Sequence, residues 1–185
     1  DVVQEAAKQE IIRRYFRCAC EYAMGLVEKD ILEHAQLILS NCDAKVEDRK
    51  VVNPARKASE QAQQKNKGND GIFCGAAIEL QDGTIITGEN SELMHASSAL
   101  ILNSVKYLTN IPKAVDLIPI NVIDSITSLK TEILNGRQIS LDLDETMIAL
   151  SISAILNPSA QMAVEKLKEL RGCEVHLTHM PTPGD

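Results

Sequence analysis

Apolar residues recur at three- and four-residue steps over the first part of the chain, which is the spacing of amphipathic α-helices. This stripe predicts a first helix over about Val2–Val27 and a second over about Lys29–Ser40, paired as a hairpin that is broken near Gly25. The helical pattern returns over residues 46–64. We therefore expect a helical subdomain over residues 1–64.

The pattern changes after residues 65–70, a polar run typical of a solvated linker. Residues Ile72–Leu80 and Thr84–Thr87 are rich in strand-forming side chains and flank Asp82-Gly83, a dipeptide that favours a tight hairpin turn. A helix over about Leu93–Leu108 follows. Its small polar surface indicates that it packs against the sheet.

The remaining pattern predicts further helices and one last strand, which would complete an α/β subdomain over residues 71–185. A helix is expected over Ile120–Leu134, and another between Pro158 and Gly172. The helix predicted over Leu143–Leu156 is apolar nearly all round, so we expect it to be the most buried. Residues Cys173–His179 alternate as a strand does.

Strand, turn, strand and buried helix over Gly71–Leu108 resemble the opening of the cytidine-deaminase-like fold. The resemblance implies a three-layer α/β subdomain with a mixed sheet. Zinc deaminases hold zinc with one His and two Cys and use a separate Glu to transfer protons. Here His95-Ala96-Ser97 stands where His-Ala-Glu would, no Cys-x-x-Cys occurs, and a serine hydroxyl cannot replace that carboxylate. Zinc deaminase activity is therefore not expected.

Two other groups of polar residues also have ordinary structural explanations. Cys173 and His179 share one strand face but lie about 20 Å apart on an extended chain, and His176 points to the other face, so no metal site is expected. Asp142 and Asp144 precede the apolar helix, where carboxylates cap free N–H groups and meet the positive end of the helix dipole.

Composition narrows the class of protein. The formal net charge of −7 and the presence of only two Phe, three Tyr and no Trp argue against binding of nucleic acid. No apolar run is long enough to span a membrane, and five irregularly spaced cysteines fit a reduced, cytoplasmic protein.

Several separated blocks, in the right order, resemble the carboxy-terminal half of an uncharacterised bacterial family called domain of unknown function 1846. These blocks are Lys8–Tyr15, Asp48–Val52, Asp82–Gly88, Ser91–Leu93, Ile148–Ala154 and Leu170–His176. The resemblance implies a longer protein, with a helical subdomain before the deaminase-like one. It also implies an amino-terminal α/β region with a glycine-rich, phosphate-loop-like segment that this chain lacks.

Two functional hypotheses follow. The first is a structural or oligomerisation region that forms a homo-oligomer and contacts the amino-terminal half of the parent protein. The second is a pocket lined by Asn90, Glu92, His95 and Ser97 that binds a small anion or a nucleotide metabolite, since helix amino-termini favour anions. This pocket would contribute to an enzyme active site shared with the amino-terminal half. No cofactor is expected in this chain, whereas the amino-terminal half is the predicted place for a nucleotide.

Overall fold

The computed structural model describes residues 2–136 and 138–185. They form seven α-helices and three β-strands, grouped in two compact units, of which the first ends at Val52 and the second is Asn53–Asp185. The predicted domain division, with a helical subdomain over residues 1–64, a linker over 65–70 and an α/β subdomain over 71–185, stays a prediction.

The first unit is a helical hairpin, as the periodicity predicted. Helix α1 is Val2–Ala23 and helix α2 is Lys29–Asn41, followed by a short 3-10 helix, Val46–Asp48. Ile12 and Leu39 are buried between them. The hairpin break is confirmed near Gly25, which has a φ of 72°.

Helix α1 ends earlier than the apolar stripe suggested. The N–H of Leu26 donates to the carbonyl of Glu21, and that of Gly25 donates to Tyr22. This is the Schellman arrangement, which stops a helix at a left-handed residue. Leu26, which the predicted helix over Val2–Val27 would include, therefore lies beyond α1 and is exposed.

The second unit is built on an antiparallel sheet. Helix α3, Val52–Gln64, leads into β1, Gly75–Glu79, and β2, Ile85–Glu89. The last strand, β3, is Glu174–Leu177, and the strand order is β2-β1-β3. Both pairings are antiparallel, so the expectation of a mixed sheet was wrong for these strands. Strand patterns fix which side chains share a face but not the relative direction of the strands.

Two glycines let helices lie directly on the sheet. A Cβ at Gly88 of β2 would come within 2.6 Å of the carbonyl oxygen of Ala96, at the start of helix α4, Ala96–Leu108. A Cβ at Gly75 of β1 would overlap the backbone of α3 at Ala55. Since Ala76 is the register partner of Gly88 and neighbouring residues of a strand point to opposite faces, α3 and α4 cover opposite faces of the sheet.

The remaining helices pack beside α4 around an aliphatic core that includes Leu117, Leu141 and Leu150. Helix α5 is Ile120–Ser128 and runs into a π-helical turn, Leu129–Ile133. Helices α6, Leu143–Ser153, and α7, Pro158–Lys166, follow, with a 3-10 helix at Leu167–Leu170.

Helix α6 is not the most buried helix, contrary to the prediction. Ala149 and Leu150 are fully buried, but the opposite face leaves Ile148 60% and Ile152 52% exposed. Just beyond the helix, Leu156 is 91% exposed. A helix pattern that is apolar on all sides predicts burial on every side. The pattern does not show that only one side of α6 packs against the core of this chain.

Capping before α6 is confirmed for Asp142, whereas Asp144 lies within the first turn of the helix. The carboxylate of Asp142 accepts from the N–H of Glu145 at 2.9 Å, and Glu145 accepts from the N–H of Asp142 at 3.1 Å. This capping box satisfies two backbone groups at the helix start. Lys130 pairs with Glu145 at 2.7 Å and so connects the π-helical turn to the same place.

Candidate functional site

A pocket of about 290 Å³ opens in the second unit beside the start of α4. Its wall comes from four short segments, residues 69–74, 90–96, 138–140 and 179–182. The volume lies near the lower end of the range for small-molecule sites in proteins. Asn90 and His95, two of the predicted site residues, line this cavity.

The start of α4 is held by a neighbouring segment that runs alongside it. The N–H of His95 donates to the carbonyl of Leu141 at 2.8 Å, and the N–H of Leu141 donates to Leu93 at 2.9 Å. The buried hydroxyl of Ser98 also donates to the Leu141 carbonyl, at 3.2 Å. These contacts fix the backbone at His95, which is the residue immediately before the helix.

A buried carboxylate, that of Asp185, lies under this helix start. Its side chain has no exposed surface. The hydroxyl of Ser97 donates to it at 2.5 Å, and Nδ1 of His95 lies 3.0 Å from both of its oxygens. The backbone N–H and the hydroxyl of Thr182 add bonds of 3.1 and 2.8 Å. A negative charge is thus placed where the α4 dipole is positive.

The segment that carries Asp185 is itself anchored at two places. The N–H of Thr178 donates to the carbonyl of Gly75, and the N–H of Gly75 donates to the Thr178 hydroxyl. Further along, the N–H of Asp144 donates to the carbonyl of Gly184 at 2.9 Å. The position of the carboxylate is therefore set by the sheet and by the start of α6 together.

The ionisation of Asp185 decides the tautomer of His95. Burial alone would raise the pKa of Asp185, but hydrogen bonds from Ser97, His95 and Thr182 hold that pKa well below its usual range. An ionised carboxylate only accepts, so Nδ1 of His95 must carry the proton that it donates. In the neutral imidazole, Nε2 is then an acceptor and the ring nitrogen left for a ligand.

His179 lies on the other side of the same carboxylate and also lines the pocket. Its Nε2 is 3.9 Å from Asp185, and its side chain is 20% exposed. Burial lowers the pKa of His179 and outweighs the attraction of Asp185. Its Nδ1 is buried and has no hydrogen-bond partner among the described residues. His179 is thus a neutral imidazole with one unused polar atom.

Asn90 has a structural task at the edge of the pocket. Its amide oxygen accepts from the N–H of Cys74 at 2.8 Å, and its amide nitrogen donates to the carbonyl of Ile72 at 2.9 Å. The N–H of Asn90 also donates to the Cys74 carbonyl. The side chain thus extends the pairing of β1 and β2, and its amide is occupied by the backbone.

The structure brings three of the four predicted pocket residues together. Asn90 and His95 line the pocket, and Ser97 lies buried behind His95, bonded to Asp185. Glu92 is exposed and does not line it. The ligand-binding role of all four remains a prediction.

Sequence reasoning missed Asp185, Thr182, His179 and the pocket-lining Cys74. The Thr-x-x-Asp spacing of residues 182–185 is a signal for a local side-chain turn, but it does not indicate a contact with α4. Burial raises the pKa of the Cys74 thiol, so this cysteine has the character of a small core residue rather than a nucleophile.

The described residues show neither a metal centre nor a membrane span. Residues 2–136 and 138–185 contain no group of three or more His, Cys, Asp or Glu arranged to hold a metal ion. The helices in that part of the chain are too short or too polar to span a bilayer.

The fold and the pocket define an α/β domain with a helical unit before it and a small cavity at a helix start. The chain belongs to the family described as domain of unknown function DUF1846: the carboxy-terminal family model matches residues 47–185 and the amino-terminal model matches residues 1–43. The family resemblance found in the sequence is thereby confirmed, and no function is named for the family.

Its relatives are longer bacterial proteins. A UPF0371 protein of Clostridium botulinum strain Alaska E43 is 45% identical over 185 residues, which is all of this chain and 37% of the relative. A UPF0371 protein of Clostridium tetani is 43% identical over 178 residues, 96% of this chain and 35% of the relative. The chain thus spans little more than a third of the length of these relatives.

Proposed function

We infer that the second unit has a cytidine-deaminase-like fold. The order of hairpin, close-packed helix and later antiparallel strand supports this, together with His95 at the start of the helix that packs on Gly88. We do not extend the inference to zinc deamination. Ser97 stands where that reaction needs a proton-transferring carboxylate.

We propose that this domain binds a small polar molecule in the pocket and supplies His95 as an acid–base group to a reaction of the larger protein. The observation that carries the proposal is the buried Asp185 carboxylate, which holds Nδ1 of His95 at 3.0 Å. A carboxylate behind an imidazole fixes its tautomer and stabilises the imidazolium once Nε2 has taken a proton. His95 would be the catalytic residue, with Asp185 and Ser97 as positioning residues.

The test uses a full-length family member that contains this chain. Its melting temperature is measured with nucleosides, sugars and amino acids, one compound at a time, for the wild type and for His95→Ala. His34→Ala is the matched control, because His34 is an exposed histidine of the first unit. We expect at least one compound to stabilise the wild type and the control but not His95→Ala.

Two results would overturn the proposal. One is that no compound shifts the melting of the wild type. The other is that every stabilising compound acts equally on His95→Ala, which would place its site elsewhere in the protein.

A second function, homo-oligomerisation, is favoured by the exposed apolar face formed by α6 and the turn after it, residues 154–156. Ile148, Ile152, Ile155 and Leu156 follow each other at helical spacing and are all more than half exposed. Monomeric proteins rarely leave such a contiguous apolar surface uncovered. We propose that this face packs against a second copy of the chain.

Light scattering after size-exclusion chromatography tests this second function. Ile152→Glu should shift the full-length protein from an oligomer to a monomer. Ile31→Glu is the control, since Ile31 is a similarly exposed isoleucine of α2 in the other unit. An unchanged mass for Ile152→Glu, or a wild type that is monomeric at every concentration, would refute it.

A cytoplasmic location and a contact with the amino-terminal half of the parent protein complete the proposal. Free Cys18, Cys20, Cys42, Cys74 and Cys173 support a reducing compartment. A nucleotide, if the parent protein binds one, is proposed for that amino-terminal half rather than for this chain.

A further inference from the structure

The charges around the pocket restrict what can enter it. Asp70 is exposed at the rim and the buried Asp185 lies behind the wall, whereas none of the described residues that line the pocket is a lysine or an arginine. A negatively charged ligand would therefore meet two carboxylates and no fixed cation among these residues. Like charges repel each other, modestly at the exposed Asp70 and more strongly at the buried Asp185.

The start of α4 would by itself attract an anion, but the Asp185 carboxylate already occupies that position. The carboxylate of Asp185 accepts from Ser97, the second residue of α4, and from His95 just before it. The chain thus satisfies with its own side chain the preference of a helix amino-terminus for negative charge. The small anion expected from the sequence would compete with an internal carboxylate that is held by five hydrogen-bond contacts.

The titratable groups at the pocket can accept from a ligand, beside lining amide and hydroxyl groups that can also donate. Nε2 of His95 has a free lone pair in the neutral ring, because Nδ1 donates to Asp185. The Asp70 carboxylate accepts as well. His179 lines the same pocket, and its buried Nδ1 has no hydrogen-bond partner in the described structure. Unused buried polar atoms are rare in proteins and often indicate a missing water or ligand.

We propose that the pocket takes a ligand rich in N–H donors, of the amidine or guanidine class, rather than an anion. Such a group is planar, carries positive charge and donates through several N–H bonds at once, which suits an imidazole nitrogen and a carboxylate as joint acceptors. The apolar flanks of the pocket, Ile72, Met94 and Met180, suit the uncharged part of the ligand. The inference rests on the proposed function, since it names the ligand class of the same pocket.

Acetamidinium chloride, acetamide and inorganic phosphate are suitable probes at matched ionic strength. Binding to the full-length protein is followed by nitrogen-15 NMR of the histidine rings. We expect acetamidinium to bind most tightly and to shift the Nε2 signal of His95, and we expect His95→Ala to lose this binding.

Asp70→Asn provides the charge test. It should weaken acetamidinium binding by roughly two- to five-fold, the size of an exposed charge interaction, and should leave acetamide binding unchanged. Asp124→Asn is the matched control, because Asp124 is an exposed aspartate of α5 in the same unit. The control should bind both probes as the wild type does.

The outcomes separate this inference from the proposed function. Tighter binding of phosphate than of acetamidinium, lost in His95→Ala, would overturn the ligand class but leave the pocket and His95 in place. Binding of acetamidinium that is unaffected by His95→Ala would overturn the inference as well. Failure of all three probes to shift the His95 signal would count against both.

Discussion

The buried bond from Ser97 to Asp185 should contribute more to stability than an ordinary serine hydrogen bond. Ser97 is 4% exposed, and its hydroxyl donates at 2.5 Å to a carboxylate that is ionised in the folded state. A hydrogen bond to a charged group contributes about 1.5–3 kcal/mol, against about 1 kcal/mol for a neutral pair. Ser97→Ala should therefore cost about 1.5–3 kcal/mol at neutral pH.

The same helix supplies the control. Ser104 is fully buried, and its hydroxyl donates at 2.7 Å to the neutral carbonyl of Leu100. Ser104→Ala creates a space of the same size but removes no bond to a charge, so it should cost about 1 kcal/mol or less. The difference between the two variants isolates the contribution of the carboxylate.

Native-state hydrogen exchange at the α4 amides of Leu100 and Val105 is the suitable assay, because it reports the opening of this unit separately from the first. The cost of Ser97→Ala should also fall to about 1 kcal/mol in an Asp185→Asn background, where the acceptor has no charge. Equal costs for Ser97→Ala and Ser104→Ala, or a cost of Ser97→Ala that Asp185→Asn leaves unchanged, would refute the reasoning.

Two further predictions concern packing and pH. Gly88→Ala should destabilise the second unit by about 1–3 kcal/mol, because its Cβ would overlap the α4 backbone. Thr87→Ala, at an exposed position of the same strand, should cost less. Equal costs in urea titration would contradict the close packing. Burial lowers the pKa of His179 in the folded state from the ordinary 6.5, so the unfolded chain takes up protons first and stability should fall as pH drops below about 6.5. His179→Gln should reduce this slope in hydrogen-exchange measurements across that range, and a slope that is unchanged would disprove the assignment.

Local elements could be predicted from the sequence because their causes are local. The periodic stripes of α1 and α2, the turn at Gly83 and the capping box before α6 each depend on residues a few positions apart. Gly83 has a φ of 83°, as the hairpin turn requires. The extension of α1 to Leu26 and the burial of the outer face of α6 were predicted wrongly. Apolar residues are exposed at both places because no described part of this chain packs against them.

The site was predictable only in part for the same reason. His95 and Asn90 stand where a strand enters a helix, and their place at a cavity follows from that junction. Asp185 is 88 residues from Ser97 and 90 from His95 along the chain. No periodicity or spacing rule connects residues so far apart, and the polar run around Asp185 could equally well be solvent-exposed.

A serine at position 97 is compatible with a buried aspartate at position 185, whereas a second carboxylate at position 97 would not be. A carboxylate at position 97 would lie at hydrogen-bond distance from the Asp185 carboxylate inside the protein, and two such charges cannot both remain ionised there. With a serine, one carboxylate is left, and it faces a hydroxyl, an imidazole and the positive end of a helix. The absence of glutamate at position 97 therefore does not leave His95 without an acidic neighbour. That neighbour is Asp185, which lies behind the imidazole and accepts from Nδ1, so that it orients the ring.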